Sequence, residues 1–162
     1  MVTIRRAELS DVPAILDIHN QGIIDRIATL DLEPHTLDQK ISWFQSHGPR
    51  EPILIADDLG QVAGFAALTL YSSRVCYQHV STLTIYVRRE YRGRGVGSQL
   101  LSAIIEAGRE QRFQKIILNA FSFNEGAMAL YQKHGFRHVG TYERQGQLDG
   151  QWVDVVIMEK LL

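Results

Sequence analysis

A single cysteine, Cys76, stands among 162 residues. One cysteine excludes an internal disulfide and a multi-cysteine zinc centre. It agrees with a reducing, cytoplasmic setting. Long hydrophobic runs are missing too. The longest, Val62 to Leu70, is interrupted by Gly64 and Thr69. It falls far short of the roughly 18 apolar residues that span a bilayer, so no membrane association is expected. The N-terminal Met1-Val-Thr-Ile-Arg-Arg6 reaches charge before the apolar core of a leader could form. Charge of one sign is not in excess either: 17 Lys and Arg face 18 Asp and Glu, for a net charge of -1. Without a basic surplus to meet a phosphate backbone, nucleic acid is not an expected partner. Proline is scarce, and no Pro/Gly/Ser-rich linker or repeat divides the chain. Residues 1–162 therefore read as one domain, long enough to bury a core without staples.

Periodicity supplies the elements. Val2 to Arg6 is β-rich. Ser10 reads as the cap of a first helix, with Asp11 at its positive end and Pro13 in its first turn. Thr36 and Gln39 have the spacing of a capping box, and Leu37, Ile41 and Phe44 follow as one face of a second helix. Strands are expected at Ile53 to Ala56, Gln61 to Tyr71 and His79 to Val87. Val96, Leu100, Leu101, Ile104 and Ile105 form a strong helical stripe. Lys115 to Ala120 is a strand, and Glu125 to His134 a helix that Gly135 ends. Two last strands, Arg137 to Gln145 and Gln151 to Glu159, flank the turn signal Leu148-Asp-Gly150. The order β, α, α, β, β, β, α, β, α, β, β predicts an α/β (α+β) fold. Its sheet is mixed and mostly antiparallel, with six to seven strands flanked by about four helices. Parallel pairing is expected between His79 and Gln145, where helices connect successive strands.

The richest stretch is Tyr86-Val-Arg-Arg-Glu-Tyr-Arg92-Gly93-Arg94-Gly95-Val96-Gly97. A strand ends, a basic turn with three glycines follows, and an amphipathic helix begins. Glycine lets a ligand approach the backbone closely. The first N–H groups of the helix lack helical partners, and its dipole is positive there. Arg92 and Arg94 add charge. This is an anion site suited to phosphate or pyrophosphate. It does not have the G-x-x-x-x-G-K-[ST] form of an NTPase loop. Ser98 stands where a dinucleotide fingerprint needs its third glycine.

Arg92-x-x-Gly95-x-Gly97 resembles the [QR]-x-x-G-x-[GA] acetyl-CoA motif of the GNAT superfamily of N-acetyltransferases. Asn124-Glu-Gly-Ala-Met-Ala-Leu-Tyr131-Gln-Lys-His-Gly135-Phe136 resembles that family's N-x-x-A-x-x-L-Y-x-x-x-G-F signature. Together the motifs cover about residues 84 to 136. The N-terminal half, with Ala28-Thr-Leu-Asp-Leu-Glu33-Pro34-x-Thr36, Trp43-Phe44 and Arg74-Val-Cys-Tyr77, is similar to the phosphinothricin acetyltransferase-like branch. The resemblance implies acetyl-CoA as co-substrate, no metal, and a small-molecule amine acceptor. Members of this branch acetylate the α-amino group of phosphinothricin, methionine sulfoximine or methionine sulfone, and a homodimer is implied.

Carried residue by residue, the resemblance assigns Ile85, Tyr86 and Val87 to the coenzyme arm and acetyl oxygen. Arg92, Gly93, Arg94, Gly95, Val96 and Gly97 fall to the pyrophosphate, and Asn124 to the coenzyme near the later helix. Tyr131 falls beside the coenzyme sulfur as general acid. Without the resemblance, Tyr131 reads as a core tyrosine and Asn124 as a helix cap. Glu33, Arg74 and Tyr77 fall on the acceptor side. Where the branch carries an acidic residue, this chain has Thr82, whose hydroxyl is no base at neutral pH. Thr82 is expected to position a water or the acceptor; Glu33, His35 and His79 are the titratable alternatives. A low-pKa amine suffers least from a missing acid. An α-amino group of pKa about 8 is neutral in roughly one molecule in ten at pH 7, whereas a lysine amine near 10.4 is about 4.6 kcal/mol away. His134 and His138 have metal-like spacing, but Gly135 breaks the helix between them. The competing expectations are a protein or peptide N-terminal acetyltransferase and a catalytically weak acetyl-CoA-binding regulatory module.

Overall fold

The computed structural model describes residues 1–162 and contains seven strands and four α-helices. In chain order they are β1 (Val2–Arg6), α1 (Val12–Ile24), α2 (Leu37–Gln45), β2 (Ile53–Asp58), β3 (Gln61–Leu70), β4 (Val80–Val87), α3 (Val96–Glu110), β5 (Lys115–Phe121), α4 (Glu125–Lys133), β6 (Arg137–Leu148) and β7 (Gln151–Leu161). This is the order expected from the sequence. All strands join one sheet, β1-β2-β3-β4-β5-β7-β6. Only β4 and β5 are parallel. The crossover through α3 makes that pair. The crossover through α4 makes no second one, because β7 lies between β5 and β6.

Three local expectations are corrected. Ser10 does not cap the first helix. Leu9–Asp11 form a 3-10 turn, and Asp11 precedes α1. The Asp11 carboxylate accepts from the Glu8 amide at 2.7 Å and from Arg5 at 2.9 and 3.0 Å. Asp11 makes no side-chain bond to the first turn of α1, because Arg5 and the Glu8 amide of the preceding turn hold its carboxylate. On α2 the capping box forms, with Thr36 Oγ1 accepting from the Gln39 amide at 3.2 Å and Gln39 Oε1 from the Thr36 amide at 2.9 Å. Its inward face differs, however: Leu37 is 44% exposed, and the one buried residue of the helix is Lys40. The last hairpin also runs longer than its apolar pattern, up to Leu148 on one arm and Leu161 on the other. Irregularities between His138 and Gly140 and between Tyr142 and Gly146 break the alternation without ending the pairing.

Helices cover both faces. Val96, Leu100, Leu101, Ile104 and Ile105 of α3 are all buried with Tyr131 of α4 and Leu83 of β4 in the main core. Each fully buried aliphatic side chain contributes about 1.5–3 kcal/mol. Ile15 and Ile18 of α1 pack on Ile55, Phe65 and Ala67 of the opposite face. Gly64 of β3 lies where α3 presses on the sheet. A Cβ there would sit 2.8 Å from the Tyr86 carbonyl oxygen and 3.0 Å from Leu100 Cδ1. Gly64→Val is expected to cost about 1–3 kcal/mol by overpacking. A urea midpoint equal to that of the parent would refute this tight contact.

Candidate active site

The parallel pairing of β4 and β5 is short: Val80 with Lys115, Ser81 with Ile116, Thr82 with Ile117. The buried Ser81 pins this end by donating its hydroxyl to the Lys115 carbonyl at 3.0 Å. Beyond Thr82 the strands part. β4 stays paired with β3 on its far edge and β5 with β7 on its own. The wedge between them opens into a cavity of about 480 Å³. Ile85, Tyr86 and Val87 line one wall, and Asn119, Ala120 and Phe121 the other.

The glycine-rich turn closes the wide end. Gly93 and Gly95 have φ of +74° and +84°, the left-handed region that favours glycine. Gly95 opens α3, and the first helical bond runs from the Gln99 amide to the Gly95 carbonyl at 3.1 Å. The amides from Gly93 to Ser98 therefore donate to no carbonyl of the chain. Gly93, Gly95, Gly97 and Ser98 line the cavity. A row of unpaired donors at a positive helix end fits a pyrophosphate.

The two arginines of this turn are already engaged. Arg92 lines the cavity, but its Nη1 lies 2.7 Å from Asp25 Oδ2 and its Nε donates to the Val87 carbonyl at 3.3 Å. Arg89 holds the other oxygen of Asp25 at 2.8 Å. Arg89 and then Arg92 keep this carboxyl below the usual carboxylate range despite the opposing effect of burial. Asp25, at the end of α1, thus clamps the anion turn to the rest of the protein. Arg94 donates to the Glu90 carbonyl at 3.3 Å and lies over the Tyr91 ring. Most of the anion-binding capacity here belongs to backbone amides.

Asn124 caps α4, its Oδ1 accepting from the Ala127 amide at 3.2 Å, while its Nδ2 donates to the Ile27 carbonyl at 3.1 Å. It lines the cavity and ties α4 to the segment after α1. Tyr131 lines the cavity from α4 and packs edge-on against Phe136. Burial pushes its phenol up to about 12, so the hydroxyl keeps its proton across the neutral range.

A second cavity, of about 460 Å³, lies on the α1–α2 side of the sheet, and Tyr86 lines both. Its polar lining includes His19, Asp31, His35, Lys40 and Thr84. Glu33, Arg74 and Tyr77, the acceptor-side residues read from the sequence, line neither cavity. Glu33 and Arg74 are exposed, with the Arg74 guanidinium 5.7 Å from the Tyr77 ring centre. Thr82 is half-buried at the apex of the wedge, between Thr69 and Ile117. Of the titratable alternatives, His35 alone lines one of these two cavities; its Nε2 lies 3.2 Å from Asp31 Oδ2.

The description Acetyltransferase (GNAT) family matches residues 20–136. The chain belongs to the GNAT acetyltransferase family. This GNAT protein is 31% identical, over 97% of its length and 92% of the relative's, to an L-methionine sulfoximine/L-methionine sulfone acetyltransferase of Pseudomonas aeruginosa. Among solved structures, it superposes with a TM-score of 0.94 on a GNAT superfamily phosphinothricin acetyltransferase from Sinorhizobium meliloti in complex with acetyl-CoA. That pair shares 26% identity over 99% of this chain and 88% of the other. It also has a TM-score of 0.94 with a ribosomal-protein-alanine N-acetyltransferase from Brucella melitensis, at 32% identity and 99% coverage of both chains. The GNAT protein is thus an N-acetyltransferase, and its wedge and unpaired amides fit the coenzyme of that family.

Sequence reasoning missed Asp25, His19, Asp31, Thr84 and Lys40 as parts of the site. Lys40 carried one legible signal. It lies on the helix face with Trp43 and Phe44, in line with aromatic neighbours three and four residues on. No local pattern marks Asp25, whose partners lie more than sixty residues away.

Proposed function

We propose that this protein transfers acetyl from acetyl-CoA to the α-amino group of a small amino-acid-like acceptor of the phosphinothricin or methionine sulfoximine type. The observation that carries the reading is the polar second cavity, whose lining shares Tyr86 with the coenzyme wedge. It is sized for a small zwitterion, and the Pseudomonas aeruginosa relative acts on such acceptors by name. Residues 1–162 work as one acetyltransferase domain, in a cytoplasmic setting, and two copies pair as a homodimer.

Acetyl-CoA supplies the activated thioester. The amides of Gly93 to Gly97 hold the pyrophosphate, with Arg92, Arg94 and Val96 shaping the turn. Backbone groups of Ile85 to Val87, free on the β5 side, align the pantetheine arm and polarise the acetyl carbonyl. Asn124 fixes the wall opposite. Tyr131 donates its phenolic proton toward the departing sulfur. Thr82, at the apex, positions a water or the acceptor; Glu33, Arg74 and Tyr77 bound the acceptor approach.

The ribosomal-protein-alanine N-acetyltransferase likeness favours one second reading, transfer to a protein N-terminus. Thiol release measured with methionine sulfoximine, phosphinothricin, common amino acids and N-terminal peptides separates the two. The proposal expects turnover with the amino acids and little with peptides. Turnover with peptides alone would establish the second reading.

Because Thr82 offers no base, transfer is expected to rise with pH as the free amine accumulates. With two acceptors whose amine pKa values differ by about one unit, worth roughly 1.4 kcal/mol, the inflection of the rate profile should move with the acceptor. An inflection that stays fixed would mean an enzyme base, with His35 beside Asp31 the group positioned to be it.

A further inference from the structure

Lys40 is 2% exposed, yet no carboxylate oxygen lies within 4.0 Å of its Nζ. Its one hydrogen bond is to His19 Nδ1 at 2.6 Å, and its ammonium lies 4.6 Å from the centre of the Trp43 ring. The nearby acid, Asp31, is half-exposed and engaged by His35. A buried ammonium is costly unless an anion meets it. Lys40 has three N–H donors and spends one. It lines the second cavity together with His19 and Tyr86.

We infer that Lys40 receives the α-carboxylate of the acceptor, and that this contact makes the enzyme select free amino acids over amines that lack the acid. The inference rests on the acceptor proposed above and names the group that recognises it.

The surroundings are built for this. Burial, with the neighbouring Lys40 charge adding to it, pushes the His19 imidazole down to about 3, so His19 is a neutral acceptor that holds Nζ in place. Burial brings Lys40 itself down to about 8, which leaves it mostly charged at pH 7. The aromatic walls, Trp43, Phe65 and Tyr86, exclude water and strengthen an ion pair formed between them. The His19 and Tyr86 rings are 4.8 Å apart between centres. A carboxylate at Lys40 therefore lies about one ring from the residue that both cavities share. An α-amine, two bonds from that carboxylate, is directed toward the wedge. A peptide N-terminus has an amide where the free amino acid has its carboxylate, and leaves Lys40 unmet.

The test compares methionine sulfoximine with its C-terminal carboxamide, in the full chain, by thiol release. The sulfoximine group is uncharged, so the α-carboxylate is the only acid in the pair. The carboxamide has the less basic amine, so more of it is neutral at pH 7, which favours the carboxamide unless the acid is recognised. The parent protein should favour the acid by at least about tenfold in kcat/KM. Lys40→Met, of similar length, should bring that ratio to about one, mainly by raising KM for the acid by the same factor. Lys40→Arg should retain a preference for the acid, and acetyl-CoA affinity should not follow these changes. Equal use of acid and carboxamide by the parent would overturn the inference, and needs no variant to fold. A Lys40→Met variant that loses activity on both substrates in proportion would also overturn it, by making Lys40 structural. No transfer to any amino acid, with transfer to peptides, would instead overturn the acceptor assignment beneath it.

Discussion

Replacing Tyr131 by phenylalanine should lower kcat by about 10²–10⁴-fold and leave acetyl-CoA affinity within about twofold. The ring does the packing: it is 8% exposed and meets Phe136 with ring centres 6.0 Å apart. Phenylalanine keeps that contact, so the fold should persist. What is lost is a hydroxyl that burial keeps protonated, with its pKa raised to about 12. A phenol of that pKa is a poor acid in isolation. It becomes useful only where charge develops on a leaving thiolate, which makes the loss a transition-state effect. Single-turnover kinetics with calorimetry separate the two quantities. Normal turnover in the variant would return Tyr131 to packing alone.

The second large effect is expected at Gly95. Its φ of +84° suits glycine, and a β-branched residue there is strained by about 1–3 kcal/mol. A Cβ at this position would meet nothing within 4 Å, so Gly95→Val leaves the core untouched. Relief of the strain turns the local amides away from the cavity. Each charge-assisted hydrogen bond to an anion contributes about 1.5–3 kcal/mol. Loss of one or two should weaken acetyl-CoA binding by about tenfold or more. Gly97 is a different case, because a Cβ there would lie 3.2 Å from Leu130 Cδ2 and press on α4. Calorimetry on the folded Gly95→Val protein decides the matter. Unchanged affinity would mean that the pyrophosphate is held elsewhere.

The features legible in the sequence are those with local causes. The α3 stripe follows from its period, the anion turn from its glycines, and the α2 capping box from Thr36 and Gln39 three residues apart. What stayed hidden depends on contacts between distant segments. The wedge arises because β4 and β5 share three register pairs and then part, and no single strand records its neighbour's length of contact. Asp11 rather than Ser10 precedes α1, and Arg5, on the adjoining strand, draws its carboxylate away from the helix. Lys40 turns inward because α1 presents His19 to it across twenty-one residues of sequence. The acceptor side suffers most from this, since its groups come from α1, α2, the segment between them and β4.

The most direct test is to incubate the purified protein with acetyl-CoA and methionine sulfoximine and identify the product by NMR while following thiol release. Acetyl on the α-nitrogen, with one thiol released for each product formed, is the expected result. Tight acetyl-CoA binding with no thiol release above the uncatalysed rate, for this and every other amine offered, would contradict it. The wedge would then be a coenzyme-binding module without turnover.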